Sequence, residues 1–370
     1  MKKVVLILAN NDIGLYRFRK ELLEKLIEKD FKVYISLPNG SFIPKLKELG
    51  CEYIEAQVDR RGTNPISDLK LFSAYIKIIK KVKPSVVLTY TIKPNIYGGL
   101  ACRLLNVPYL ANITGLGTAV ENKGLIQKLT LFLYSLSLKS ASCVFFQNDT
   151  NRNFLIGNNV ISGRTRLIPG SGVNLTYHRF ESYPSNDNNI VILYIGRIMQ
   201  AKGIEELFSA AKKIKENYPN VQFNIVGNSE EKYDLQIEEL ERQNIIKYFG
   251  QQEDVHSFIK DSHAIILPSH HEGLSNVLLE SASAGRPVLA SKIPGCNETF
   301  DEGISGIGFD VKNVDNLINA ITEFIQLPYK KKKAMGQAGR QKVEKEFDRN
   351  IVIDAYIEEI FSVVDKEKSK

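Results

Sequence analysis

The sequence predicts an α/β protein of two doubly wound domains, and three observations carry that prediction. Short apolar, β-branched runs alternate with amphipathic helical stretches, the alternation restarts halfway along, and 370 residues are too many for one ordinary core. In the first half the runs are Val4–Leu8, Val33–Leu37, Val86–Thr89, Tyr109–Ile113 and Val144–Phe146. Helical patterns at Leu15–Glu28, Ile66–Val82 and Asn95–Leu105 lie between them. Runs this uniformly apolar suit parallel strands buried on both faces and joined by crossover helices. The second half repeats the scheme with runs at Ile190–Ile195, Gln222–Val226, Ala264–Leu267 and Pro287–Ala290. Its helical stretches are Ile204–Glu216, Tyr233–Arg242, Asn276–Ala284 and Val314–Ile325. Residues 183–189, Tyr-Pro-Ser-Asn-Asp-Asn-Asn, are dense in turn formers and mark the join. The expected layout is a domain over 1–180 and another over 181–350, two Rossmann-like sheets facing each other across a cleft. Helical patterns Lys330–Glu346 and Ile351–Val364 close the chain, and a helix near 350–370 can pack back on the first domain.

Composition excludes several classes. Apolar residues make up 43% and charged residues 25%, as in a globular protein rather than a disordered or fibrous one. Met1-Lys2-Lys3 followed by Val4–Ala9 mimics a signal peptide, but the apolar stretch is short and runs into Asn10-Asn11-Asp12, so a first buried strand explains it better. No run approaches the roughly 20 apolar residues of a membrane span, and the expected location is the cytoplasm. Cys51, Cys102, Cys143 and Cys296 are far apart and read as small buried hydrophobes. His270-His271-Glu272 is no metal motif, because adjacent side chains diverge and the His-Glu-x-x-His spacing is missing.

Charge is divided unevenly. Residues 1–180 hold 26 Lys and Arg against 12 Asp and Glu, while residues 181–370 hold 23 against 30. A basic half beside an acidic half implies that only the first faces an anionic partner, nucleic acid or a phospholipid surface. No helix-turn-helix, zinc-finger spacing or aromatic RNA-binding strand supports nucleic acid. The apolar stretch Leu125–Leu138 lies in that half, flanked by Lys123, Lys128 and Lys139. It reads either as an interfacial helix on an anionic membrane or as a plain core helix. The Lys330–Lys333 run reads as a solvated helix face.

The densest chemistry lies in Pro268-Ser269-His270-His271-Glu272-Gly273-Leu274-Ser275-Asn276, between the run Ala264–Leu267 and a helix. Gly273 permits close backbone approach, Ser275 caps the helix, and a helix terminus of this kind attracts phosphate. Glu280, one to two turns in, would reach a ribose, and Glu272, before the helix, a sugar on that phosphate. An ordinary capped helix with two solvated glutamates would look similar. A second segment, Gly196-Arg197-Ile198-Met199-Gln200-Ala201-Lys202-Gly203, follows Ile190–Ile195, where doubly wound sheets meet ligands. Arg197 and Lys202 suit a diphosphate, one as a planar fork and the other as a point charge. Such cations and helix N–H donors stabilise a leaving diphosphate without a metal, and no Asp-x-Asp occurs to hold one.

Gly196-Arg197 with Lys202-Gly203, the Glu272 and Glu280 pair, and Ser171-Gly172-Val173-Asn174 together resemble retaining glycosyltransferase family four, of GT-B fold. The resemblance covers nearly the whole chain, and is closest to bacterial capsule and lipid-linked-oligosaccharide transferases. It implies transfer of an N-acetylated or deoxy-amino sugar from a UDP-sugar co-substrate to a sugar on undecaprenyl diphosphate, with retention of configuration and no metal or other cofactor. By the same resemblance Arg197, Lys202 and Glu272 are the catalytic set. Gly14, Gly196, Gly273, Leu274, Ser275, Asn276 and Glu280 bind the donor. The enzyme would sit peripherally on the inner face of the cell membrane.

The first half departs from the commonest family pattern. Many members carry a histidine after the strand at Tyr109–Ile113, whereas this chain has Thr114-Gly115-Leu116-Gly117, a turn shared with the lipid-linked-oligosaccharide subgroup. Thr114 is the replacement assigned there. It joins Arg17 and Arg19, after the first strand, and Lys93 and Asn95, after Val86–Thr89, as the expected acceptor-side groups. Two rival functions share the fold: a UDP-sugar 2-epimerase, and a non-catalytic nucleotide-sugar-binding protein. The basic first half speaks against the epimerase, which needs no acceptor groove.

Overall fold

The computed structural model describes residues 3–59, 64–116, 124–185 and 189–367; Met1, Lys2, Gly117, Lys123 and part of the turn-rich join lie outside them. The chain forms two compact units, Met1–Ser171 with Asn350–Lys370, and Gly172–Arg349.

The first unit runs β1 (Val4–Leu8), α1 (Asp12–Glu28), β2 (Lys32–Leu37), α2 (Ile43–Glu48), β3 (Glu52–Glu55), α3 (Pro65–Val82) and β4 (Val86–Tyr90). A π-helical turn at Pro94–Gly98 leads into α4 (Gly99–Leu105), followed by β5 (Tyr109–Ile113), α5 (Leu125–Leu138), β6 (Cys143–Phe146), α6 (Asp149–Gly157) and β7 (Thr165–Leu167). All its strand pairs are parallel, in the order β3-β2-β1-β4-β5-β6-β7. Side chains of β1 and β4 feed two apolar clusters, one on each face of the sheet, which is why β1 reads as an unbroken apolar run and β4 as one interrupted only by the buried, β-branched Thr89. In α5 the inward positions are Thr130, Tyr134, Ser137 and Leu138, while Leu125, Ile126, Leu129 and Phe132 are exposed.

The second unit runs β8 (Ile190–Ile195), a 3-10 turn (Gln200–Lys202), α7 (Ile204–Asn217), β9 (Val221–Val226), α8 (Asp234–Arg242), β10 (Ile246–Tyr248) and α9 (His256–Lys260). It continues with β11 (Ala264–Leu267), α10 (Asn276–Ser283), β12 (Val288–Ser291), β13 (Gly306–Phe309), α11 (Val314–Gln326) and α12 (Tyr329–Glu346). Its parallel strands follow the order β10-β9-β8-β11-β12-β13, so both sheets turn back on themselves at equivalent places. A last helix, α13 (Arg349–Glu367), begins in the second unit and adds Val352, Ile353, Tyr356 and Ile360 to a core of the first.

The chain passes between units at Ser171–Gly172, ahead of the turn-rich segment that marks the join in the sequence. Residues 172–183 belong with the second unit, and their end at Glu181–Tyr183 is tied there by Arg286. Its fully buried guanidinium donates to the carbonyls of Glu181 and Ser182 and to those of Ile259 and Lys260. Burial draws its pKa down to about 10. Gly172 has φ +64, and a Cβ there would lie 2.5 Å from the Arg349 Cα, so only glycine lets the two crossings run side by side. The cysteines are all buried and unbridged, and burial pushes the thiols of Cys51 and Cys143 up to about 12. Among the described residues no helix is long and apolar enough to cross a membrane.

Candidate active site

In an open parallel sheet the natural ligand crevice lies beyond the carboxyl ends of the strands where the order reverses. In the second unit that place is the exit of β8 and β11. The loop after β8 is Gly196–Gly203, and the loop after β11 is Pro268–Ser275, the two segments singled out in the sequence.

Glycines bring these loops together. Gly203 has φ +69, and a Cβ on it would lie 2.0 Å from the Pro268 carbonyl oxygen. Beside it, the His270 N–H donates to the Ala201 carbonyl at 3.0 Å. The Tyr194 hydroxyl at the end of β8 donates to the Arg197 carbonyl at 2.8 Å and shapes the turn through Gly196. On the other side, the Ser275 N–H donates to the Gly295 carbonyl at 2.8 Å, and the Ser275 hydroxyl accepts from the Leu278 N–H as the cap of α10. Leu274 is buried against Val173 and Leu279, which anchors the loop.

The charged groups fall into a short series of pairs. Lys202 Nζ lies 2.6 Å from Glu272 Oε1, with both side chains largely shielded from solvent. Arg197, half exposed, pairs with Glu230 at 3.0 Å rather than joining Lys202. His270 Nε2 lies 2.9 Å from Glu206 Oε1. Glu280, inside α10, faces His178 with 3.8 Å between Oε1 and Nε2. Burial, then the neighbouring His256 and Arg349, pulls the His178 imidazole down to about 3, so it is neutral near pH 7. The Ser269 hydroxyl and the Asn276 side-chain oxygen are buried and have no hydrogen-bond partner among the described residues. No group of three or more His, Cys, Asp and Glu side chains suited to a metal occurs among the described residues.

The expected acceptor-side groups of the first unit do not converge as a set. Gly14, expected on the donor side, also belongs to this unit and lies in the first turn of α1, its N–H donating to the Asn11 side chain at 2.6 Å. Arg17 is exposed on the same helix. Arg19 is buried, with its guanidinium 5.0 Å from the Tyr90 ring centre and 5.6 Å from that of Tyr356. Its place among Leu15, Leu22, Leu23 and Leu26 on the inner helical stripe explains this. Lys93 pairs with Asp68 at 2.7 Å, which also accepts from the Tyr97 hydroxyl. Asn95 is buried and bridges β4 to β5, accepting from Thr89 and donating to the Asn112 carbonyl. Thr114 is partly exposed just past β5. Sequence reasoning passed over His178, because nothing local to Tyr177-His178 signals a neighbour at position 280.

Residues 4–148 match the family described as Glycosyl transferase 4-like, and residues 178–342 match the one described as Glycosyl transferases group 1. The chain is 24% identical, over 95% of its length and 96% of the relative's, to the N,N'-diacetylbacillosaminyl-diphospho-undecaprenol α-1,3-N-acetylgalactosaminyltransferase of Campylobacter jejuni. It is 25% identical, over 77% of its length and 80% of the relative's, to the UDP-Gal:α-D-GlcNAc-diphosphoundecaprenol α-1,3-galactosyltransferase of Escherichia coli. A glycosyltransferase from Rickettsia africae superposes with a TM-score of 0.81 at 23% identity, covering 98% of this chain and 99% of that one.

Proposed function

The chain is a glycosyltransferase of GT-B fold, made of a 4-like and a group 1 glycosyl transferase domain, and we propose that it moves an N-acetylated or deoxy-amino sugar from a UDP-sugar to a sugar carried on undecaprenyl diphosphate. The observation that carries the reading is the Lys202–Glu272 pair beside the start of α10. In the proposed complex the donor diphosphate takes Glu272's place as the partner of Lys202 and lies against the helix terminus, where N–H groups and the helix dipole favour it. Arg197 adds a second cation. Glu280, inside α10, receives the ribose, and the released Glu272 carboxylate turns to the sugar. The orphaned Ser269 and Asn276 oxygens fit a polar ligand that completes their hydrogen bonding.

The chemistry follows from where charge develops. As the anomeric C–O bond breaks, negative charge builds on the departing diphosphate, and Lys202, Arg197 and the α10 terminus stabilise it. The acceptor hydroxyl attacks from the same face, forming the new glycosidic bond, and passes its proton to the departing phosphate oxygen. UDP leaves, and configuration is retained. No metal takes part. Arg17 and Lys93 of the first unit are the cations offered to the acceptor diphosphate. The undecaprenyl acceptor places the reaction at the inner, anionic face of the cell membrane, in the assembly of a capsule or other surface polysaccharide.

The test is a panel of nucleotide sugars offered with a short polyisoprenyl-diphosphate sugar as acceptor, with the product's anomeric configuration read by NMR. Transfer from a UDP-sugar with retention is expected. Transfer only from another nucleotide, transfer with inversion, or transfer only to soluble sugars would each overturn part of the reading.

A further inference from the structure

α5 carries large apolar residues on the face it turns to water as well as on the face it packs inward. At 3.6 residues per turn, Leu125, Ile126, Leu129 and Phe132 fall on one stripe. They are 84%, 59%, 59% and 58% exposed. The opposite stripe, packed inward, contains Thr130, Tyr134, Ser137 and Leu138, and Leu131 and Leu133 pack partly buried against the same core. This orientation is fixed by packing: the Tyr109 hydroxyl donates to the Ser137 carbonyl, and Arg103 donates to the Leu136 carbonyl at 2.8 Å. The apolar stripe is therefore held outward by the fold, not left there by a loose helix.

We infer that this stripe of α5 is the surface by which the protein inserts into an anionic lipid bilayer. Charge favours lipid over a protein partner. α5 contains no acidic residue, and exposed Lys128 and Lys139 border the stripe on one flank, where they can reach lipid phosphates while their stems lie along the acyl boundary. A second copy of the chain, paired through the same stripe, would bring these lysines towards their own counterparts. α3, which packs on the same side of the sheet, also exposes Ile66 and Leu69 near its start, beside exposed Lys70. In a parallel sheet both helices start at the carboxyl edge of the strands. That edge also carries Lys93 and Thr114, so the bilayer would meet the first unit near two of the groups expected on the acceptor side. The inference rests on the lipid-linked acceptor for its purpose, though not for its test.

Full-length protein is sedimented at low salt with phosphatidylcholine vesicles and with mixed phosphatidylglycerol–phosphatidylcholine vesicles, and UDP affinity is measured on the same samples. Binding to the mixed vesicles is expected, weaker by about tenfold or more in Leu129→Glu with Phe132→Glu. Lys128→Glu with Lys139→Glu should weaken it on the anionic vesicles alone. UDP affinity and thermal midpoint should stay as in wild type, which keeps a folding defect apart. Unchanged vesicle binding in the Leu129 and Phe132 variant overturns the inference. So does wild-type protein that ignores the anionic vesicles while binding UDP, a result that leaves the donor site standing. Self-association in solution that the same variant abolishes, with no vesicle binding, assigns the stripe to a second copy and overturns it too. Vesicle binding without UDP binding would sink the donor reading and uphold this one.

Discussion

Lys202 and Glu272 form an ion pair at 2.6 Å although seventy positions separate them in the chain. They stand on the loops that leave β8 and β11, neighbouring strands at the turning point of the second sheet. Each neutralises the other where an unpaired ion would be costly. In the proposed reaction this pair is the resting state of a diphosphate site.

Arg197→Ala and Glu280→Ala should each weaken donor binding or turnover by about 10- to 150-fold, the range for losing a hydrogen bond to a charged group worth roughly 1.5–3 kcal/mol. Thermal midpoints should hold, since Arg197 is half exposed and Glu280 sits on an intact helix. Steady-state kinetics with a UDP-sugar decides; wild-type affinity and turnover in both variants would remove these residues from the site.

Gly203→Ala should separate the two loops. Its left-handed backbone and the 2.0 Å approach of a Cβ to the Pro268 carbonyl leave no room for a side chain. The expected cost is about 2 kcal/mol or more of stability, together with loss of transfer. Urea unfolding and an activity assay check both, and a variant of full stability would show that the loops can part without penalty.

Much of the fold, and the position of the two loops in it, was legible in the sequence. Both loops were found because a strand run precedes each and an amphipathic helix follows. The strands that sequence reading omitted are β3, β7, β10 and β13, which are the edges of the two sheets. Edge strands are short and need no continuous apolar run, and Glu-Tyr-Ile-Glu or Thr-Arg-Leu gives no buried-strand signal. Arg19 was grouped with Arg17, though one points inward and the other out. The spacing 15, 19, 22, 23, 26 carried that information, because a cation can occupy a core stripe when aromatic faces receive it. The direction of the α5 stripe was not legible, since an apolar helix can place that face on either side.

Stability should fall in mild acid because of His178. Its folded value near 3 lies below the ordinary value of about 6.5. The unfolded chain therefore binds a proton that the folded chain refuses. The groups around it are His256 and Arg349, which oppose the proton, and Asp254 and Glu280, which are too few to reverse the effect of burial. Stability is full above about pH 6.5 and declines as pH drops towards 3, by up to about 2 kcal/mol between pH 7 and pH 5. His178→Gln should flatten that slope in urea unfolding at the two pH values. Identical slopes would mean that the imidazole is protonated in the fold.

Transfer should persist in excess chelator. In the proposed reaction Lys202, Arg197 and the α10 terminus supply the positive potential that a divalent ion would otherwise provide. Activity that vanishes with chelator and returns with magnesium or manganese would require a different leaving-group mechanism.

The most direct measurement is calorimetric titration of UDP and of uridine into the wild type and into Lys202→Ala. If Lys202 holds the donor diphosphate, the wild type binds UDP more tightly than uridine. The variant then loses about tenfold or more of its UDP affinity, from a charge-assisted contact worth at least about 1.5 kcal/mol, while uridine binding hardly changes. Equal UDP affinity in the two proteins would contradict the account, because the ion pair with Glu272 would then be structural and the diphosphate would bind elsewhere.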